Sequence, residues 1–309
     1  MKEVIIGYQG ISGAYSEMAA DKFVAKYKSQ IESKTKTKGF QSFDEIFKQI
    51  EDGKIQFGLL PVENSLAGSV HRNVDLLNQH NVLVVGEEYV HVNHQLLVLP
   101  GTKLKEIKEV YSHWQALAQC QDSTKKMLPH AKVVEYFDTA GAAEFVRNSD
   151  DKSKAAIASV KAGELHQLVS LKNGMQDEKE NFTRFLVVCT PKVAHKYFKD
   201  SEIAHFKLDT HKKYKSKIVA DSNSYKTSII FWGHSKTGFL FRCLACFSLR
   251  DINLTKIESR PIPKQPWKHF FYLDFEGSIA DFTIQQALSN LSEIVDGYKI
   301  LGSYKKDKQ

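Results

Sequence analysis

The stretch FGLLPVENSLAGSVHRN, residues 57–73, organises the rest of the chain. Its first residues are apolar and predict a buried strand, and its last residues have apolar positions at helical spacing. Between them lie a carboxylate, an amide and a hydroxyl in a row, at Glu63, Asn64 and Ser65. A polar cluster at the carboxyl end of a strand is where open α/β sheets bind ligands, and the following helix start suits an anion. The alternative is an ordinary connection in which Ser69 caps the helix.

Composition is that of a multidomain globular protein. The chain has 309 residues, 42% hydrophobic and 26% charged, and no apolar run reaches the ~18 residues of a membrane span. The four cysteines have no framework spacing, so we expect reduced packing residues. The net charge is +7, and a basic stretch runs from Lys192 to Lys217 without any arginine. We therefore expect a solvated connector there and no nucleic-acid partner.

Alternating strands and helices lie on both sides of the central stretch. The first strand, at residues 4–8, leads through a glycine-containing turn into an Ala-rich helix. The glycine spacing is not that of a dinucleotide fold, so NAD is rejected. A second series of alternating strands and helices begins near residue 89, and three of its strand-to-helix turns contain residues with hydroxyl groups. His91 and His94 would face opposite sides of a strand, so no metal site is expected.

Residues 227–304 form a separate unit after the basic connector. The apolar patterns predict strands and helices in the order βαββαβ, which is the ferredoxin-like arrangement. A small domain joined by a polar linker to an α/β pair indicates sensing rather than chemistry.

Six motifs, in order along the chain, resemble the prephenate and arogenate dehydratases, which form phenylpyruvate or phenylalanine. The motifs are YQGISGAYSE (8–17), LLPVENSLAGSVHRN (59–73), SHWQALAQC (112–120), DTAGAAEF (138–145), NFTRF (181–185) and INLTKIESRP (252–261). The similarity extends from about residue 4 to about residue 304 and is closest to the plant-type branch. It implies an α/β fold with a two-lobed, periplasmic-binding-protein-like catalytic region and a C-terminal ferredoxin-like ACT domain.

The resemblance also implies domain limits. The catalytic region would be 1–190 (lobe one about 1–88 and 169–190, lobe two about 89–168), the basic connector 191–224 and the ACT regulatory domain 225–309. The chain would cross between the lobes near Glu88 and near Leu168.

The implied reaction is a 1,4-elimination that needs no metal or organic cofactor. The catalytic candidates are Thr183, Asn64 and Ser65: Thr183 would hydrogen-bond the departing hydroxyl, and the other two would position the substrate. Arg184 would hold a substrate carboxylate or set the loop, and Glu63 would orient its neighbours. The complete set of substrate-binding candidates is Ser16, Glu63, Gly68, His113, Gln115, Thr139, Arg184 and Phe185.

Phenylalanine is the implied effector, bound by the ACT domain at a subunit interface. Its candidate residues are Gly238, Phe239, Leu240, Glu258, Ser259, Arg260 and Pro261. Phe239 is much larger than the residue usual at its position, which bears on the affinity for phenylalanine. Because ACT domains pair, the implied assembly is a homodimer or a homotetramer, and no membrane partner is expected.

The function predicted from the resemblance is a monofunctional prephenate dehydratase of phenylalanine biosynthesis. One alternative is an arogenate dehydratase, and a region within residues 156–176 would select between the two substrates. Another, of a different class, is a catalytically silent amino-acid sensor. We expect a cytoplasmic protein, or a plastid protein whose transit peptide has been removed.

Overall fold

The computed structural model describes residues 3–31, 33–198, 222–263 and 265–307. The strands are β1 (Val4–Gln9), β2 (Thr35–Phe40), β3 (Phe57–Asn64), β4 (Gly68–Ser69), β5 (Leu83–His91), β6 (Gln95–Val98), β7 (Glu109–Ser112), β8 (Lys132–Glu135), β9 (Lys154–Ala158), β10 (Val169–Asn173), β11 (Phe182–Cys189), β12 (Tyr225–Trp232), β13 (Leu254–Pro261), β14 (His269–Glu276) and β15 (Gly297–Lys305). The α-helices are α1 (Tyr15–Lys26), α2 (Phe43–Glu51), α3 (His71–Gln79), α4 (Trp114–Gln119), α5 (Gln121–Met127), α6 (Thr139–Ser149), α7 (Val160–Leu165), α8 (Pro191–Tyr197), α9 (Phe239–Ser248) and α10 (Phe282–Ser292).

The first sheet forms lobe one, in the strand order β2-β1-β3-β11-β5, with β4 paired to β3. Strands β1, β2 and β3 are parallel, and β11 runs antiparallel to β3 and β5. Helix α2 is an example of how the sequence pattern forms a helix that packs on this sheet. Ser42 accepts a hydrogen bond from the Glu45 N–H at the helix start, and Ile46, Phe47 and Ile50 are buried against the sheet.

The second sheet forms lobe two, in the order β10-β6-β9-β7-β8. The chain enters it between His91 and Gln95 and leaves it after Asn173. The second crossing therefore lies after residue 173 and not near Leu168, because β10 pairs with β6. All residues of β10 are exposed, so hydrophobic periodicity could not assign this strand to a sheet.

The third sheet has the order β13-β14-β12-β15, entirely antiparallel, and with α9 and α10 it forms the predicted βαββαβ unit. Ile229 and Phe231 of β12 pack under the two helices, whereas Ile230 packs into the core of lobe one. The two layers approach so closely that a Cβ on Gly302 would overlap the Val84 carbonyl oxygen. Lobe one thus covers the face of this sheet that the helices leave open.

The protein is an α/β protein with a two-lobed, periplasmic-binding-protein-like region and a C-terminal ferredoxin-like domain, which confirms the predicted fold class. The segment expected to be a connector begins with α8, whose Ala194 packs into the core of lobe one. Residues 199–221 of that segment lie outside the described residues.

All four cysteines are buried and form no disulfide. No helix in the described ranges is both long enough and apolar enough to span a membrane.

Candidate active site

Asn64 and Thr183 lie opposite each other where β3 pairs with β11. The Asn64 Oδ1 atom accepts hydrogen bonds from the backbone N–H groups of Leu66 and Ala67, at 3.0 and 2.8 Å. Because both partners are donors, the amide nitrogen must point the other way, toward Thr183. Asn64 Nδ2 donates to the Thr183 hydroxyl oxygen at 3.0 Å. The Thr183 hydroxyl oxygen is therefore the acceptor of this hydrogen bond, which does not use the hydroxyl hydrogen.

Ser65 ties the turn after β3 to the strand that carries Thr183. Its backbone N–H donates to the Phe182 carbonyl at 2.9 Å, and its hydroxyl accepts from the Phe182 N–H at 3.0 Å. The same hydroxyl donates to the Glu180 carbonyl at 3.1 Å. Because its hydrogen is used there, Ser65 holds the Asn64–Thr183 pair in place and has no free donor for a substrate. Gly68, at a φ of 80°, closes the hairpin between β3 and β4.

This hairpin corrects the expected start of the following helix. Ser69 belongs to β4 and is not a helix cap, and α3 begins at His71. The Glu258 carboxylate of β13 lies 2.7 Å from the Ser69 hydroxyl and 3.0 Å from His71 Nε2. An anion does lie beside the helix start, as the pattern suggested, but it belongs to the C-terminal domain of the same chain.

A chain of hydrogen bonds extends from Asn64 across to lobe two. Asn64 Nδ2 donates to Asn181 Oδ1 at 2.8 Å, and Asn181 Nδ2 donates to Gln119 Oε1 at 3.0 Å. His94 Nε2 lies 3.2 Å from the same Gln119 oxygen, and the Tyr15 hydroxyl lies 3.1 Å from His94 Nδ1. Because Gln119 belongs to α4 and Asn64 to β3, this chain connects the two walls of a cleft.

His94 is neutral within this chain of hydrogen bonds. Its partner at Nε2 is a carbonyl oxygen, so Nε2 carries the hydrogen and Nδ1 accepts from the Tyr15 hydroxyl. The side chain is 2% exposed, and burial lowers the pKa of His94 to about 4. A general acid works best with a pKa near the working pH, so the geometry assigns His94 to orienting Gln119 rather than to proton transfer.

The buried His94 should make the protein less stable in mild acid. Its pKa is about 4 in the folded state and about 6.5 in the unfolded chain, so the unfolded chain binds the additional proton between these values. The contribution of neutral His94 to the free energy of unfolding is fully present above about pH 6.5, and about 2 kcal/mol of it is lost by pH 5. Urea unfolding at the two pH values should show a smaller loss in His94→Gln. The exposed His130→Gln variant is the control, and equal losses in wild type and His94→Gln would contradict the assignment.

Four further candidates lie at the starts of helices that follow parallel strands. Ser16 and Thr139 are in the first turns of α1 and α6, His113 caps α4, and Gln115 lies in its first turn. Parallel strands direct their carboxyl ends to one edge of a sheet, so these helix starts lie at that edge of each lobe. No hydrogen bond joins these four side chains to Asn64 or Thr183 among the described residues.

The two lobes touch where α1 begins. The Ser159 hydroxyl of lobe two donates to the Gly13 carbonyl of lobe one at 2.6 Å. A Cβ on Gly13 would lie 2.9 Å from the Ala162 Cα, and its φ of 93° also favours glycine. This glycine therefore permits the lobes to approach and limits one side of the cleft.

Three predicted substrate-binding residues make their contacts elsewhere in the protein. Arg184 is 4% exposed, and its guanidinium contacts Glu87 and Asp274 at 2.7 and 2.5 Å. Phe185 is buried in the core of lobe one, and Glu63 contacts Lys256 of β13 at 3.3 Å. For Glu63 and Arg184 the physical reason is strand alternation: they neighbour Asn64 and Thr183, so their side chains point to the opposite face of the sheet. Phe185 is on the same face of β11 as Thr183 but lies deeper, within the core.

The structure places three of the predicted effector residues in two different environments. Phe239 lines a cavity of about 510 Å³ that also contacts Asn78 of α3 and Asp296. None of the other six candidates lines it: Glu258 binds Ser69 and His71, and Arg260 forms two hydrogen bonds to Asp75, at 2.9 and 2.8 Å. In this structure the charged side chains of β13 hold the C-terminal domain against lobe one.

Sequence reasoning did not assign roles to four residues of the cleft: Tyr15, His94, Gln119 and Asn181. Three of them fall inside the motifs YQGISGAYSE, SHWQALAQC and NFTRF, so the motifs mark the correct segments. For His94 the sequence suggests only a metal ligand, which its position relative to His91 does not support. An isolated histidine before a strand carries no local signal of the partners that the tertiary fold supplies.

Comparison with known proteins identifies the family of this chain. The family described as prephenate dehydratase matches residues 6–193. The arogenate dehydratase/prephenate dehydratase 2 of Arabidopsis thaliana, described as chloroplastic, is 37% identical over 313 residues, which cover 98% of this chain and 73% of the relative.

Two solved structures have the same fold over nearly the whole chain. A prephenate dehydratase from Arthrobacter aurescens, in complex with L-Phe, has a TM-score of 0.79 at 24% identity and covers 98% of this chain and 90% of its own. A protein described as a novel type of quorum-quenching acylase, GqqA, has a TM-score of 0.77 at 27% identity and covers 98% of both chains. From the family match and the relative of 37% identity, the chain belongs to the prephenate dehydratase family.

Proposed function

We propose that the protein converts prephenate to phenylpyruvate, with loss of water and carbon dioxide. The observation that carries the proposal is the Thr183 hydroxyl, whose oxygen accepts from Asn64 and whose hydrogen is available to a ligand. A donor in this state suits a departing hydroxyl group, because negative charge develops on that oxygen as its bond to carbon breaks.

The electron balance requires no redox partner. The electron pair of the bond to the ring carboxylate moves into the ring as carbon dioxide leaves, and the pair of the carbon–oxygen bond leaves with the hydroxyl group. The ring becomes aromatic, and the hydroxide takes a proton from the solvent to form water. Because a threonine hydroxyl is a weak acid, Thr183 stabilises the leaving oxygen by a hydrogen bond and does not give up its proton.

The substrate is anionic, and the cleft offers groups that bind carboxylates. Helices α1 and α6 begin at its edges, and their first turns contain Ser16 and Thr139. Unpaired backbone N–H groups and hydroxyls at such helix starts bind anions well. In this proposal these groups hold the two carboxylates of the substrate. The chain of hydrogen bonds that connects Tyr15 with Asn64 holds the two lobes in their relative positions.

Arogenate is the second candidate substrate, because the similar Arabidopsis thaliana protein is named for both dehydratase activities. Purified protein should be given each substrate separately, with phenylpyruvate measured from prephenate and phenylalanine from arogenate. Product from prephenate supports the proposal, and product from arogenate alone replaces it with the second candidate. Turnover of neither would favour the silent sensor.

We also propose that phenylalanine regulates the enzyme through the C-terminal domain, within a homodimer or homotetramer. Support comes from the L-Phe complex of the Arthrobacter aurescens enzyme and from the cavity beside Phe239. Phe239→Ala should change the phenylalanine concentration that gives half of the maximal effect, and light scattering measures the assembly.

A cytoplasmic location stays a prediction. The chloroplastic name of the relative favours a plastid, and a fluorescent fusion distinguishes the two.

A further inference from the structure

We propose that Glu63 and Arg184 are positioning residues through which the C-terminal domain sets the geometry of the Asn64–Thr183 pair. The catalytic part of this inference rests on the proposed function. Its mechanical part, the attachment of two strands to the C-terminal sheet, can be tested without any substrate.

The register of β3 and β11 places the four residues in two adjacent pairs. Thr183 lies opposite Asn64, and Arg184 lies opposite Glu63. Neighbouring residues of a strand point to opposite faces, so one pair faces the cleft and the other faces the C-terminal domain. A displacement of the second pair must therefore move the backbone that carries the first.

The attachment of β3 is made by Lys256 of β13. Its Nζ atom lies 3.3 Å from Glu63 Oε1 and 2.6 Å from the Ser69 hydroxyl, which in turn donates to Glu258 at 2.7 Å. The Lys256 side chain is only 5% exposed, so the contact fixes the position of a cation that is itself buried, although water reaches Glu63. Ser69 lies on β4, which pairs with β3 at Glu63 and Asn64. Both strands of the catalytic hairpin are thus bound to β13.

The attachment of β11 is made by Asp274 of β14. Arg184 donates to Asp274 at 2.5 Å, to Glu87 at 2.7 Å and to the Tyr304 hydroxyl at 3.0 Å. Asp274 also accepts from the Ser228 hydroxyl at 2.5 Å, so the acceptor is itself held by the C-terminal sheet. Asp274 and Glu87 are fully buried. The guanidinium is therefore fixed by groups from both domains.

An irregularity in the strand pairing lies directly beside these residues. The register of β11 against β3 shifts between Arg184 and Phe185. Such bulges re-aim side chains and often lie next to active sites. The pairing skips Val62, so the extra residue lies on β3 beside Glu63. A bulge held by the Glu63–Lys256 ion pair gives the C-terminal domain control over the direction of the adjacent Asn64. Hydrogen bonds weaken steeply with distance and angle, so small movements of the C-terminal sheet would change the Asn64–Thr183 contact.

The first measurement is hydrogen exchange in the whole protein. The amides of Leu66 and Ala67 report on the active-site turn, because both donate to Asn64 Oδ1. In Glu63→Gln and in Asp274→Asn we expect these amides to exchange about tenfold faster, while amides in the core of lobe two are unchanged. Glu63 is 40% exposed, so this variant keeps the test available if Asp274→Asn does not fold.

The second measurement is turnover of prephenate. We expect kcat to fall about tenfold in both variants with KM within about threefold, since only the alignment of the donor is changed. The control is Asp75→Asn, which removes another ion pair between lobe one and β13, to Arg260, but leaves β3 and β11 untouched. Its exchange and kcat should equal those of wild type.

The outcomes separate the inference from the proposed function. Unchanged exchange at Leu66 and Ala67 in Glu63→Gln overturns the inference, as does an equal change in Asp75→Asn. Faster exchange with unchanged kcat also overturns it, because the attachment would then have no catalytic effect. If wild type turns over neither substrate, the proposed function fails, whereas the exchange result still decides the mechanical part.

Discussion

Replacing Thr183 by alanine is expected to lower kcat/KM for the dehydration by about 10²–10³-fold, equivalent to about 2.7–4 kcal/mol. The Thr183 hydroxyl is held as an acceptor by Asn64, so its hydrogen is the oriented donor of the site. Alanine removes that donor and leaves the Asn64 amide with its other partners, Asn181 and the Phe182 carbonyl. The loss should appear in kcat, because the interaction strengthens as charge develops on the leaving oxygen.

The matched variants are Thr183→Ser and Asn64→Asp. Serine keeps the hydroxyl, so its kcat/KM should stay within about tenfold of wild type. Aspartate keeps the acceptor for Leu66 and Ala67 but cannot donate to Thr183, so we expect a loss comparable to that of alanine. Circular dichroism and thermal unfolding confirm that each variant is folded. An alanine variant that turns over substrate near the wild-type rate would remove Thr183 from the mechanism.

Replacing Arg184 by methionine is expected to lower the free energy of unfolding by about 3–5 kcal/mol. Burial disfavours the charged guanidinium, but Asp274, Tyr304, Tyr272 and Glu87 outweigh it and keep the pKa of Arg184 well above its ordinary value. Methionine fills a similar volume but leaves the Asp274 carboxylate buried without its cation. Glu87 is less affected, because Lys226 still lies 2.9 Å away.

Denaturant unfolding measures this loss, and two variants interpret it. The double variant Arg184→Met with Asp274→Asn should recover part of the stability, because the buried negative charge is removed together with its partner. Arg72→Met is the control for an ordinary ion pair. Arg72 contacts Asp44 on the surface, so its replacement should lower the free energy of unfolding by less than about 1 kcal/mol. A similar cost for Arg72→Met and Arg184→Met would show that the buried pair has no special role.

Much of the fold follows from patterns within short segments. The apolar stripe of α2 with Ser42 at its start, the buried run of β1 and the βαββαβ order after residue 224 are all properties of neighbouring residues. The same holds for the segments of the site, because the polar residues after Val62 and the pentapeptide NFTRF stand out against their apolar surroundings. A resemblance carried by six ordered motifs then indicated the family.

The direction of each side chain was decided only by the tertiary structure. Thr183 and Arg184 are adjacent and both polar, and nothing in the sequence shows which face of β11 meets the cleft and which meets Asp274. The exposed β10 belongs to lobe two only because it pairs with β6. His94 links the two lobes only because the tertiary structure brings Tyr15 and Gln119, from distant segments, into contact with it. Local sequence determined which elements form, whereas long-range pairing decided what each face touches, because a strand has two faces and its partners lie far away along the chain.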